Sequence, residues 1–391
     1  MKRILALLIL LAGSLCAQQT SFVIVVVIDG VRYTESFGDP THQWIPRIWT
    51  DLRPQGVIYT AYSNDGLTET NPGHASIATG AWQTITNDGL ERPHTPTLFE
   101  YHRKGLGSGT AEHFVVLGKT KLNILAFSDH PEYGSTFGAS VAGTPSQYND
   151  QLAADTLKRV LRTNHPHLVI LNLPNSDNVA HSGNWAGYLS SVRNADSLTY
   201  EIWNTVQNDS VMKGKTTMFV TNDHGRHTTS FSGHGDGCDG CRHLMLLVIG
   251  PDTPSGVTDA LPRKQIDIVP TIGALLGFPT PYATGNVIGS AIATGVEPLA
   301  SGTPGEFHLR QNFPNPFNPT TTIGYGLPRR SQVLLTVFSV LGQQIVVLED
   351  ADREAGYHEV MFDATGLSSG VYFYRLQSGS FAETKKLLLM R

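Results

Sequence analysis

Apolar residues gather in short, β-branched blocks along most of the chain, and each block stops at a turn or at an ionisable residue. Residues 21–28 (SFVIVVVI) run into Asp29-Gly30, and residues 114–117 run into Gly118-Lys119-Thr120-Lys121. Residues 168–173 (LVILNL) precede Asp177 and His181, residues 218–221 stop at Asn222-Asp223-His224-Gly225, and residues 244–249 (LMLLVI) end at a glycine. Runs without polar alternation predict strands buried on both faces, as in parallel sheets covered by helices. Between them the periodicity becomes helical, predicting helices over residues 97–104, 149–163 and 185–207 and a short one from about Ile266 to Gly277. Pro72-Gly73 predicts a helix start whose first amides point back at Thr70. Strands alternating with helices predict an α/β fold, a mostly parallel sheet flanked by helices.

The pattern changes beyond residue 293. Residues 294–306 turn to Gly, Pro, Ser and Thr, a predicted linker. Period-two alternation follows: Val333, Leu335 and Val337 share one face, and Tyr372, Tyr374 and Leu376 oppose Val371, Phe373 and Arg375. Glycine-marked breaks at Leu341-Gly342, Gly356 and Ser368-Ser369-Gly370 predict a small all-β, immunoglobulin-like sandwich. At the other end, Lys2-Arg3, an apolar run and Ala17 read as a secretory signal peptide over residues 1–17. That run is far below the ~20 residues needed to span a membrane. Cys16 follows a bulky Leu15, which argues against lipidation. The expected division is thus 1–17 signal peptide, 20–293 α/β domain, 294–306 linker and 307–391 sandwich.

Composition narrows the functions. With 40% hydrophobic and 16% charged residues the chain can bury a real core. The net charge is −5, and loss of Lys2 and Arg3 would take it to −7. Without a basic block, no nucleic-acid or anionic-membrane surface is expected. Cys238 and Cys241, written CDGC, are expected to close a short local disulfide in an exported protein; two cysteines cannot by themselves make a four-thiolate zinc site. Asp29, Lys119, Asp177, Asp223 and His224 all follow strand ends, where open α/β sheets bind ligands. His181 lies four residues after Asp177, on the same face of a helical turn. His234 stands between Gly233 and Gly235 in the loop after Asp223-His224. Aspartate and histidine suit zinc or a similar divalent ion, and Lys119 with Lys121 could face a phosphoryl dianion. His74, inside the helix after Thr70, is assigned to structure.

The ordered set Ile28-Asp29-Gly30, Thr70-Asn71-Pro72, Asp177-x-x-x-His181, Asp223-His224-Gly225 and Gly233-His234-Gly235 resembles the alkaline phosphatase superfamily. It looks closest to the type I phosphodiesterase/nucleotide pyrophosphatase branch and its phosphonoacetate hydrolase relatives. The resemblance implies two divalent ions, as zinc: one on Asp29, Thr70, Asp223 and His224, the other on Asp177, His181 and His234. It also implies a phospho-threonine intermediate at Thr70, and hydrolysis of phosphodiesters, phosphomonoesters or phosphonates. Asn87 is the nearest counterpart of the family's phosphate-contacting asparagine, and Lys119 and Lys121 look like the paired lysines of phosphonoacetate hydrolases. Thr70-Asn71-Pro72 lacks the modifiable residue of the sulfatases. The remaining alternatives are a phosphomutase, for which export is unexpected, and a silent surface-binding protein, which would lack a ligand residue. The tail, with Gln311-Asn312-Phe313-Pro314-Asn315-Pro316-Phe317-Asn318-Pro319-Thr320, Gly370-Val371-Tyr372 and Lys385-Lys386-Leu387, resembles a type IX secretion sorting domain. That implies the type IX machinery as partner, and the surface or medium of a Gram-negative bacterium as destination.

Overall fold

The computed structural model describes residues 19–143, 147–292, 304–312, 315, 317 and 319–390. The expected signal peptide and most of the expected linker lie outside the described residues.

The chain first forms β1 (Phe22–Ile28), β2 (Gly56–Ser63), α1 (Thr70–Thr79), α2 (Leu98–Leu106), β3 (His113–Leu117) and β4 (Ser140–Gly143). It continues through α3 (Asp150–Asn164), β5 (Leu168–Leu173), α4 (Asn175–His181), α5 (Trp185–Gln207) and β6 (Thr216–Thr221). Then come α6 (Asp239–Arg242), β7 (His243–Ile249), β8 (Val257–Asp259), β9 (Arg263–Lys264) and α7 (Ile268–Leu276). The strands make one sheet in the order β4-β3-β5-β1-β6-β7-β2-β8, with β9 beside β2. Its pairings are parallel except those of β7, which runs antiparallel to both β6 and β2.

β1 is central, and all seven of its residues are buried. Val23, Val25 and Val27 pack on one side with Ala75 and Ile77 of α1, Phe99 of α2 and Ile272 of α7. Ile24, Val26 and Ile28 pack on the other with Leu157 and Leu161 of α3 and Val192 and Ile202 of α5. Each such side chain contributes roughly 1.5–3 kcal/mol by leaving water, so this strand tolerates no polar position on either face. The helix limits have local causes. Thr97 and Glu100 form a reciprocal capping box at α2, and the Asn149 side chain accepts from the Leu152 amide at α3. Among the described residues no helix is long and apolar enough to cross a membrane.

The tail comprises β10 (His308–Leu309), β11 (Thr320–Leu327), β12 (Ser331–Ser339), β13 (Gln344–Arg353), β14 (Gly356–Asp363), β15 (Gly370–Ser378) and β16 (Phe381–Leu389). Its two antiparallel sheets, β10-β11-β14 and β13-β12-β15-β16, bury Ile323, Tyr325, Val333, Leu335, Val337, Tyr374, Leu376 and Leu387 between them. The alternation of β12 predicts its buried face. Among the described residues an ionic contact joins the two regions: Arg263, buried and paired with Asp259 at 2.9 Å, also donates to Glu359 of β14 at 2.7 Å.

Candidate metal centre

β5, β1 and β6 run parallel as neighbours, so their carboxyl ends open on one edge. Asp29 follows β1, Asp177 and His181 ride on α4 just past β5, and Asp223 and His224 follow β6. α1 begins at Thr70 itself, with Glu69 as the flanking residue. It comes close because residue 73 is glycine: a Cβ there would stand 2.6 Å from the backbone oxygen of Asp223.

The seven residues meet in two adjoining groups. In one, His181 Nε2 and His234 Nε2 are 3.1 Å apart, and they lie 3.3 and 3.5 Å from Asp177 Oδ1. Ligands held ~2.0 Å from a tetrahedral ion are about 3.3 Å from one another, so these three atoms could hold one. In the other, His224 Nε2 is 3.3 Å from Asp223 Oδ2, 3.8 Å from Asp29 Oδ1 and 3.5 Å from Thr70 Oγ1. Asp29 Oδ1 is buried and has no hydrogen-bond partner. An orphaned carboxylate oxygen facing an imidazole nitrogen is what a divalent cation would satisfy.

The electrostatics point the same way. Burial, reinforced by the neighbouring Asp223 carboxylate, pushes the Asp29 pKa up. Burial also works against the Asp223 carboxylate, but His224 and His74 outweigh it and hold its pKa below the usual range. His234, desolvated and beside His224, is pushed down to about 3 and is therefore a neutral ligand at ordinary pH.

The two lysines divide. Lys119 turns inward to the carboxylates rather than standing free for an anion. Its Nζ lies 2.9 Å from Asp29 Oδ2, 2.6 Å from Asp177 Oδ2 and 3.4 Å from Thr70 Oγ1. Burial opposes the ammonium, yet Asp29 and Asp177 hold its pKa above the ordinary lysine value. Three carboxylates buried together demand a cation, and that demand turns the side chain. Lys121 donates to Asn87 Oδ1 at 2.8 Å, and the same oxygen accepts from the Asn71 amide at 2.9 Å. Burial, then Lys119, lowers the Lys121 pKa.

Two further residues join the centre. His74 is 3.1 Å from Asp223 Oδ2 and 2.9 Å from the Thr70 carbonyl, and its other ring nitrogen meets Asn172 at 3.1 Å. The i, i+4 spacing from Thr70 could have flagged it. Arg226, fully buried, donates to Asp177 Oδ1 at 2.5 Å and to the carbonyls of Phe231 and Ser232. A loop arginine carries no positional signal. The expected disulfide is not formed: Cys238 and Cys241 are free thiols with Sγ atoms 3.6 Å apart. Residues Asp239–Arg242 between and after them make one helical turn.

Residues 129–235, which contain Asp177, His181, Asp223, His224 and His234, match the Metalloenzyme superfamily. Residues 311–390 match the Secretion system C-terminal sorting domain. A 2,3-bisphosphoglycerate-independent phosphoglycerate mutase of Legionella pneumophila (strain Corby) is 26% identical over 137 residues, 34% of this chain and 25% of the mutase. The chain thus spans about a quarter of the length of the curated relatives it matches. Phosphonate monoester hydrolase from Silicibacter pomeroyi superposes with a TM-score of 0.52 at 13% identity, over 94% of this chain and 88% of its own. The enzyme of the same name from Agrobacterium radiobacter gives 0.51 at 14%, over 88% and 89%. At such identities the likeness is one of fold. Residues 129–235 thus carry the likeness to the Metalloenzyme superfamily, and residues 311–390 form a type IX sorting domain that sends the chain to the cell surface or medium.

Proposed function

We propose that the protein is an exported two-metal hydrolase of phosphoric esters that works through a phospho-threonine intermediate at Thr70. The observation that carries this reading is the place of the Thr70 hydroxyl, between His224 Nε2 at 3.5 Å and Lys119 Nζ at 3.4 Å. Asp29, Asp223 and His224, with Thr70, would hold one ion, and Asp177, His181 and His234 the other; zinc suits this donor set. Bound there, two divalent ions supply Lewis acidity that activates a hydroxyl and neutralises charge on the phosphoryl group.

The chain's own groups do the rest. Lys119, held protonated by its carboxylates, stabilises negative charge on Thr70 Oγ1 and cannot act as its base. Thr70 gives up its proton to solvent and attacks phosphorus, the ester oxygen leaves and takes a proton from water, and a second water later frees Thr70 with inorganic phosphate from a monoester or a phosphomonoester from a diester. Asn71, Asn87 and Lys121 surround the amino end of α1, where donors would meet the phosphoryl oxygens. His74 and Arg226 position Asp223 and Asp177. Residues 20–293 would form the hydrolase unit, 294–306 the linker and 307–391 the sorting domain.

Thr70→Ala should lower turnover roughly 10³-fold or more, Thr70→Ser should keep much of the rate, and quenched turnover should leave phosphate on Thr70. Near-normal turnover of Thr70→Ala with both ions bound would end the covalent reading. Mono- and diester nitrophenyl phosphates, assayed in parallel, decide the ester class. The match to phosphoglycerate mutases favours a second reading, transfer to a bound hydroxyl. Oxygen-18 from water appearing in the released phosphate distinguishes hydrolysis from such transfer.

A further inference from the structure

Beyond the two groups around Thr70, a third set of donor atoms converges in the loop that follows. His227 Nδ1 is 2.7 Å from Asp236 Oδ2, and Cys241 Sγ is 3.3 Å from Asp236 Oδ1. One ligand atom from each of these residues lies within 4.8 Å of the others. Cys238 Sγ is 3.6 Å from Cys241 Sγ and lies beside the Thr228 hydroxyl. Two thiolates ~2.3 Å from one tetrahedral ion are about 3.8 Å apart, close to the separation found here. Two sulfurs, an imidazole and a carboxylate together make a complete tetrahedral set for zinc.

The backbone holds these donors in register. The Gly225 and Arg226 amides donate to the Cys241 and Gly240 carbonyls at 2.8 and 3.0 Å, and the His227 amide to Gly233 at 2.9 Å. The approach leaves no room for side chains: a Cβ on Gly225 would stand 2.0 Å from the Gly240 oxygen, and one on Gly233 would stand 2.8 Å from the His227 ring. Cys241 is buried, whereas His227 is only partly covered and the Asp236 side chain is 46% exposed, so an ion could reach the site from solvent.

We propose that His227, Asp236, Cys238 and Cys241 form a separate structural zinc site, which fastens the segment after His224 to the CDGC turn. Binding converts both thiols to thiolates, and their two protons pass to solvent. The ion closes the loop that bears His234 and so positions that residue without touching substrate. The thiols would then persist in an exported protein because the metal, not a disulfide, joins them.

Cobalt separates this site from the centre around Thr70, which contains no sulfur. Full-length protein loaded with Co²⁺ should show a thiolate-to-cobalt charge-transfer band in the near ultraviolet. Cys241→Ser should lower it by about half or more, and the double substitution Cys238→Ser with Cys241→Ser should abolish it. His227→Ala and Asp236→Ala, at positions exposed enough to leave folding intact, should weaken or shift it and lower the zinc content by one ion per chain. Protein secreted into zinc-containing medium should yield two alkylatable thiols after denaturation. A Cys238–Cys241 disulfide in that protein, absence of the band, or a band unchanged by all of these substitutions would overturn the proposal.

Discussion

Asp150 illustrates at the residue scale how burial sets protonation next to the centre. Its Oδ1 accepts from the Asn175 amide at 2.9 Å, at the start of α4, while its Oδ2 is buried without a partner. Burial pushes its pKa up to about 7, against the lowering effect of that amide. A folded-state pKa above the unfolded value gives stability that is complete below about pH 4 and is lost as pH rises through 7. Wild type should therefore lose on the order of 3–4 kcal/mol between pH 4 and pH 8 through this group, and Asp150→Asn should remove that slope. Urea midpoints of both proteins across the range test it; parallel curves would refute it. Lys119 gives a second prediction. Removing one partner of a buried ion pair costs about 3–5 kcal/mol, so Lys119→Ala should melt well below wild type in chelator. Zinc should restore much of the difference, because divalent charge replaces the ammonium; equal losses with and without zinc would contradict this. Asp29, Asp223 and His224 were legible because strand ends fix where the next side chains sit. The inward turn of Lys119 was not, since it depends on Asp29 and Asp177, carboxylates distant in sequence.

Among the elements, legibility followed the environment on both faces. β1 is evident from sequence because every residue is buried, and α5 matches its amphipathic stretch at both ends. β2 is not marked in the sequence because a register shift between Tyr59 and Tyr62 breaks its pattern, nor is β4, because an edge strand of alternating half-exposed residues carries little apolar signal. α1 is buried on every side, so no amphipathic stripe marks it. Its approach to the loop after β6 depends on Gly73, whose missing side chain leaves 2.6 Å between a notional Cβ and the Asp223 carbonyl. Gly73→Ala should cost about 1–3 kcal/mol through overpacking and should lower turnover as Thr70 moves away from His224. A variant with unchanged urea midpoint and unchanged turnover would rule out the tight approach as a requirement.

The whole molecule joins a mixed sheet to a sandwich through Arg263, whose charge is balanced by Asp259 on one side and Glu359 on the other. A chain ending at residue 292 should keep its turnover yet lose roughly 1.5–3 kcal/mol, the typical worth of a hydrogen bond to a charged group. Glu359→Gln in the full chain should reproduce only part of that loss. Inactivity of a folded truncated chain would show that the tail has a part in the reaction. The change from blocks to alternation near residue 300 made the two regions legible, whereas the strand order was not, because it rests on pairings distant in sequence. β1 shows the extreme of that remoteness. It leaves the ribosome first among the strands, but Val25 must wait for Ile170 and then for Phe219, past the midpoint of the chain, before it is flanked. Such late closure costs loop entropy and slows folding. Until then the sheet would have no closed centre, and a nascent polypeptide in that state could still be threaded through a narrow channel.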